Sequence, residues 1–211
     1  MCNHYRNDIR KLGLEREIYG FEEFSELPRD VYPNRLAPVV VLEDGAPTWR
    51  VMRWGFPKLD RPGATINTNC RNPASSYWKP WLKTNRCLVP FSAFAEPLPG
   101  MGRAEAWFAG TGNDTTMFAG VWRPWTGDRG TKKEPNVGEH LLFAFLTCQP
   151  NGVVEPIHPK AMPVILPDRD AWEAWLTTET PIAMQQPLDD DKLKRIEPDW
   201  IAPKAEADLF G

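Results

Sequence analysis

No stretch of this chain stays apolar for the roughly 20 residues that a bilayer crossing needs, and the N-terminus has no apolar core of signal-peptide length. A cytoplasmic protein with no membrane contact is therefore expected. The four cysteines, Cys2, Cys70, Cys87 and Cys148, include no CxxC pair, so neither a zinc site nor a disulfide framework is signalled. No organic cofactor motif is present either, and the expectation is none. Positive charge is not in excess: the net charge of −3 argues mildly against indiscriminate nucleic-acid binding, because phosphate affinity rests on Lys and Arg. A local basic groove remains open to it. Internal repeats and low-complexity tracts are absent, and nothing marks a domain boundary. The 211 residues are expected to form one domain with a sizeable core, as a monomer.

What is abundant is tryptophan and proline, ten and 22 residues, within an ordinary 42% hydrophobic and 25% charged composition. Each proline inside a helix removes a donor and clashes with the preceding turn, so this composition opposes a helix bundle and suits β structure with many turns. Residues 6–27 carry apolar residues at loosely helical spacing and read as helix. Residues 36–42 and 48–54, around Glu43-Asp44-Gly45, read as a β-hairpin. Residues 74–85 read as a short helix with Trp78, Trp81 and Leu82 on one face, and 87–90 as a strand. Residues 104–109 and 116–122 read as a second hairpin, 124–139 as a long exposed loop, and 141–147 as a strand buried on both faces. A helix capped by Asp168 and a second short helix over 187–199 complete the pattern.

The residues with chemistry start at the first positions, Met1-Cys2-Asn3-His4-Tyr5. Removal of Met1 makes Cys2 the N-terminus and sets an α-amine beside a thiol. Their ordinary pKa values, about 7.7–8.0 and about 8.5, leave both partly available near neutral pH. Such a 1,2-aminothiol is suited to aldehydes: the amine forms a Schiff base and the thiol closes a five-membered thiazolidine on the same carbon. Alone, Cys2 reads as a frayed-terminus residue or a small buried hydrophobe rather than a nucleophile. Glu96 alone reads as a solvated strand end, and Asn69 as part of an Asn-rich turn.

Taken together, these segments resemble the SOS response-associated peptidase (SRAP) family of abasic-site-reactive proteins. The family opens Met-Cys-Gly-Arg-Tyr or similar, matched here by residues 1–5. Its Trp-Gly segment is matched by Arg53-Trp54-Gly55-Phe56, its Asn-Ala-Arg by Asn69-Cys70-Arg71, and its Cys-Leu-Val-Pro-x-x-x-Phe-x-Glu by Cys87-Leu88-Val89-Pro90 with Phe94 and Glu96. His158-Pro159-Lys160-Ala161-Met162-Pro163 matches its His followed by Met-Pro. The five blocks are collinear and cover residues 1 to about 167, with a C-terminal helical part, 168–211, expected to pack on them.

The resemblance implies an α+β domain whose mostly antiparallel β core closes into a barrel-like form with peripheral helices. It implies self-processing removal of Met1 and reaction of Cys2, through lyase-type Schiff-base chemistry, with the ring-opened aldehyde of an abasic site in single-stranded DNA, leaving a thiazolidine crosslink. Cys2, Asn69, Glu96 and His158 would be the catalytic set. Asn3, His4, Trp54, Phe56, Arg71 and Thr147 would meet DNA. Glu96 and His158 suit proton transfer, the Asn69 amide suits orienting the terminal amine, and Arg71 suits a bidentate phosphate clamp. Asn3 and His4 stand where the family has Gly and Arg, and Pro73 replaces an acidic residue commonly found after the arginine. Pro57-Lys58-Leu59-Asp60 replaces the usual aromatic wedge, which leaves Trp54 or Phe56 as base-stacking candidates. Two other classes compete: a thiol peptidase or amidohydrolase using Cys2, and a non-catalytic single-stranded DNA module.

Overall fold

Alternation and turn chemistry decide where the long strands lie. In the computed structural model the described residues are 2–9, 24, 26–58, 65–112 and 116–200. The strands are β1 (His4–Arg6), β2 (Asp30–Val31), β3 (Leu36–Glu43), β4 (Ala46–Trp54), β5 (Phe56–Pro57), β6 (Ile66–Asn67), β7 (Asn69–Cys70), β8 (Arg86–Phe91) and β9 (Ala93–Pro97). They continue with β10 (Glu105–Gly110), β11 (Thr116–Asp128), β12 (Val137–Cys148), β13 (Met162–Pro163), β14 (Ile165–Leu166) and β15 (Leu193–Ile196). Two α-helices are described, α1 (Lys79–Thr84) and α2 (Arg169–Thr177).

β3 and β4 pair from Leu36↔Arg53 to Glu43↔Ala46 across a two-residue turn in which Asp44 and Gly45 both have positive φ, 51° and 80°. Two successive positive φ values give the hairpin turn whose twist matches that of its strands. At the other end of β4, Gly55 takes φ 108°, which bends the chain into β5. β5 pairs with β6, and this delivers the chain to β7.

β12, β4, β3, β8 and β11 follow one another as hydrogen-bonded neighbours, and β11 pairs back with β12, closing a five-stranded barrel. Closure leaves these strands no exposed edge. All contacts in the ring are antiparallel except β12 with β4, where Leu142↔Arg53 and Phe143↔Trp54 run parallel. A second sheet, ordered β15-β10-β9-β1-β2, packs against the barrel. Its inner residues Tyr5 and Phe94 join the barrel's aromatic core: Tyr5 meets Trp54 edge-on at 5.2 Å, and Phe94 meets Phe118 edge-on at 6.0 Å. Phe118 stacks on Phe91 at 3.9 Å and reaches Phe145 at 4.6 Å. The mostly antiparallel, barrel-like core with few helices is as expected.

Helix α2 is capped as the sequence indicates, Asp168 Oδ1 accepting from the Ala171 amide at 2.9 Å. Its Trp175 is fully buried, and the indole N–H donates to the carbonyls of Cys87 (3.0 Å) and Gly120 (3.2 Å), pinning the helix to β8 and β11.

Three sequence expectations change. β10 and β11 do not form a hairpin: β10 pairs with β9 and β15, while β11 belongs to the barrel. The backbone of β10 finds its partners on the β9 and β15 sides instead. The exposed loop expected over 124–139 is mostly strand, since β11 and β12 stay paired out to Asp128↔Val137. Residues 187–199 form a 3-10 turn and β15 rather than a helix, because β10 offers a strand edge to pair with. The helix read over 6–27 lies largely outside the described residues, and its first residue, Arg6, is in β1.

Phe118→Ala should lower unfolding free energy by about 3–5 kcal/mol, since it empties the centre of a stacked aromatic core. Guanidinium denaturation followed by tryptophan fluorescence measures this, and a loss under 1 kcal/mol would contradict the packing described.

Candidate active site

Two catalytic candidates reach the groove through the strand register of the second sheet. β1 pairs with β9 as His4↔Ala95 and Tyr5↔Phe94, so Cys2 emerges beside the strand that carries Glu96. β7 brings Asn69 alongside β12 at Phe145, and Thr147 follows two residues further along β12. His158 sits on a turn whose amides at Ile157 and His158 both donate to the Val154 carbonyl at 2.9 Å. Asn151 holds that turn: its side-chain oxygen accepts from the Val154 amide (3.1 Å) and its side-chain nitrogen donates to the Leu188 carbonyl (3.0 Å).

Cys2 is buried, and its thiol donates to the His4 carbonyl at 3.4 Å. Burial pushes the thiol well above the usual cysteine range, and the nearby Glu96 carboxylate pushes the same way. The Cys2 carbonyl accepts from Asn69 Nδ2 at 3.1 Å. That amide also donates to Thr68 Oγ1 at 2.7 Å, so both of its hydrogens are used. Asn69 Oδ1 is buried with no hydrogen-bond partner among the described residues, and so is the Thr147 hydroxyl.

Glu96 is fully buried, and burial drives its carboxyl up to about 7, with Glu105 adding to the push. Its Oε2 lies 3.9 Å from His158 Nδ1. That same nitrogen is 2.6 Å from the Ala161 carbonyl. A carbonyl only accepts, so Nδ1 carries the hydrogen and Nε2 is the nitrogen that exchanges a proton. Burial holds the imidazole below its ordinary range; the Ala161 hydrogen bond opposes this, while Arg71 and Lys160 reinforce it. Near neutrality the groove therefore pairs a carboxyl that populates both forms with a neutral imidazole. That is the poise proton transfer in both directions requires.

Arg71 is exposed at the rim, with Nη2 donating to the Lys160 carbonyl at 3.0 Å. Asn3 is exposed nearby, its side-chain oxygen 3.4 Å from Thr68 Oγ1. Gln185 was not singled out in the sequence, yet its amide donates to the carbonyls of both Arg71 (3.1 Å) and Thr147 (2.6 Å). Thr68, which orients Asn69, and Glu105, which presses on Glu96, were also missed. Thr68 had a signal in its place beside Asn69; Glu105 and Gln185 act across the sheet and from the far C-terminal part, with no local pattern.

Three expected DNA contacts are corrected. Trp54 and Phe56 are fully buried; Trp54 donates to the Thr68 carbonyl at 3.0 Å and stacks on Phe145 at 5.2 Å, and Phe56 packs on Trp78 at 5.0 Å. Neither offers a ring face to a base. His4 is buried on the opposite face of β1 from Tyr5, with its ring nitrogens on Glu105 and Asp30. Alternation along a strand sends it away from the groove.

Among the described residues no three His, Cys, Asp or Glu side chains gather as a metal site would require, and no helix is long and apolar enough to cross a membrane. The four cysteines are buried thiols.

A protein from Bordetella bronchiseptica shares this fold with a TM-score of 0.69 at 22% identity, covering 93% of this chain and 100% of its own. A protein from Bacteroides thetaiotaomicron gives 0.68 at 19% identity, covering 94% of this chain and 93% of its own. A phage-related protein from Bordetella bronchiseptica gives 0.55 at 19%, covering 87% of this chain and 85% of its own. No curated protein sequence gives a significant match. The family model described as SOS response associated peptidase (SRAP) matches residues 1–199, well past residue 167, where the recognisable sequence blocks end. With that match spanning nearly all of it, the chain belongs to the SOS response associated peptidase (SRAP) family.

Proposed function

We propose that this protein captures abasic sites in single-stranded DNA by forming a thiazolidine between Cys2, exposed by removal of Met1, and the sugar aldehyde. Family membership supports the coarser statement, a peptidase-type enzyme of the SOS response to DNA damage. The observation that carries the finer reading is the fully buried Glu96, its carboxyl raised to about 7, lying 3.9 Å from His158 and within electrostatic reach of Cys2.

In this reading the α-amine of Cys2 attacks the aldehyde carbon, and the carbinolamine loses water to give a Schiff base. The thiol then gives up its proton as sulfur bonds to the imine carbon, closing the ring. Aldehyde and aminothiol become thiazolidine and one water. Glu96 takes the amine proton and returns it to the departing hydroxyl, and His158 Nε2 relays the next proton. Asn69 holds the Cys2 carbonyl so that the amine faces the aldehyde. Because burial and Glu96 hold the thiol protonated, the sulfur is the second nucleophile rather than the first. A peptidase using Cys2 as a resting thiolate is correspondingly disfavoured. Arg71 at the rim is the phosphate contact of this proposal, and the Asn69 Oδ1 and Thr147 hydroxyl meet the opened sugar.

Intact mass of the purified protein should show Met1 absent. Incubation with abasic-site single-stranded DNA should give an adduct that survives denaturing electrophoresis, and Cys2→Ala should abolish it. Adduct formation unchanged in Cys2→Ala sinks the proposal, and turnover of a peptide panel without DNA would favour a thiol hydrolase.

Glu96→Gln should slow adduct formation by roughly 10²–10⁴-fold and remove the pH dependence centred near 7. It should also change stability with a defined sign. Below 4.5 folded and unfolded chains both hold the Glu96 proton; between 4.5 and about 7 only the folded chain keeps it, so stability falls as pH rises through that window. Above it a charged, buried carboxylate remains. Relative to the parent, Glu96→Gln should therefore gain on the order of 2–3 kcal/mol between pH 4 and pH 8. Denaturant unfolding at the two pH values reads this directly, and a parallel shift at both would contradict the raised carboxyl.

A further inference from the structure

On the outer face of the second sheet, directly behind Cys2, lies a charged cluster that the proposed chemistry does not use. His4 Nδ1 is 2.8 Å from Glu105 Oε2, and His4 Nε2 is 3.4 Å from Asp30 Oδ1. A neutral imidazole has one N–H and one lone pair, so it donates to only one of two carboxylates; the imidazolium donates to both. Both ring nitrogens of His4 face a carboxylate. Tyr32 stacks on it at 4.1 Å and Trp107 meets it edge-on at 4.6 Å, which fixes the ring plane.

The groups facing His4 come from three elements. β10 supplies Glu105, β2 supplies Asp30, and the turn after β2 supplies the Tyr32 phenol. β9 presents Ala95, which carries no charge. On β1 itself, Arg6 donates to both oxygens of Asp30 at 3.0 and 2.9 Å and lies over the Trp200 ring at 4.5 Å. Arg6 thus compensates Asp30, and Glu105 has His4 as its cation. A cavity of about 440 Å³, lined by Tyr32, Arg103 and Glu105 among others, opens beside the cluster and admits solvent to it.

β1 is only three residues long, a short strand to define a register by backbone pairing alone. The His4 carbonyl accepts the Cys2 thiol hydrogen at 3.4 Å, so the setting of His4 passes directly to Cys2. We propose that His4 is a positioning residue whose ring, bridging Glu105 and Asp30, locks β1 in the register that holds Cys2 against Glu96. The inference rests on the reading of Cys2 as the nucleophile. The His4 side chain touches neither substrate nor reacting atoms; it acts through the strand.

The test compares the parent, His4→Gln, Glu105→Gln and His4→Arg, the last keeping a permanent cation between the two carboxylates. Hydrogen-exchange protection factors for the amides of residues 4–6, without DNA, should be high in the parent. They should be low at every pH in His4→Gln and Glu105→Gln, and stay high in His4→Arg. With saturating abasic-site DNA, the two glutamine variants should form adduct roughly 10- to 100-fold more slowly, the scale of a small misplacement of a reacting group. His4→Arg should keep the parent rate. Parent-like protection and rate in His4→Gln at every pH overturn the proposal, as does a slowed adduct with unchanged protection. The expected protection pattern in a protein that forms no adduct upholds the role of His4 and overturns only the chemistry assigned to Cys2.

Discussion

The antiparallel pairing of three residues, His4, Tyr5 and Arg6, with Ala95, Phe94 and Ala93 is the constraint on which the rest of this site depends. A strand has two faces, and successive side chains take them in turn. Tyr5 therefore enters the aromatic core while His4 and Arg6 enter the charged cluster outside. A slip of one residue would exchange an aromatic ring and a cation between an apolar core and an ionic network, so both faces oppose it. Cys2 inherits its position from that register, since it lies two residues beyond the strand.

The second physical theme is the deliberate burial of groups that prefer water. Glu96 is fully enclosed, Asn69 Oδ1 and the Thr147 hydroxyl are enclosed without hydrogen-bond partners among the described residues, and the Cys2 thiol is enclosed beside a carboxylate. Each costs stability, and a closed five-stranded barrel with a stacked aromatic interior offsets it. The same low dielectric that makes these groups costly raises the carboxyl of Glu96 to about 7 and lowers the imidazole of His158, so near neutrality the carboxyl populates both forms beside a neutral ring.

The C-terminal part is not an appendage to this arrangement. Gln185 braces Arg71 and Thr147 through their carbonyls, Leu188 anchors the Asn151 side chain that holds the His158 turn, and β15 pairs with β10, the strand carrying Glu105. The family match over residues 1–199 agrees with a unit that needs these residues.

Much of the local structure was legible because it is written in neighbours: the Asp44-Gly45 hairpin, the Asp168 cap, and the apolar run of β12 each follow from a few adjacent residues. The partners of β10, the length of the β11–β12 ribbon and the strand at 193–196 were not, because strand pairing depends on which distant edge still needs donors. The same division holds at the site. The resemblance of short collinear blocks named Cys2, Asn69, Arg71, Glu96 and His158 as candidates. Whether Trp54 and Phe56 face solvent or core, whether His4 turns toward the groove or behind it, and whether Glu96 is wet or dry were decided only by tertiary packing. Burial and face are properties of the assembled sheets, and those properties set the charge and reach of each group.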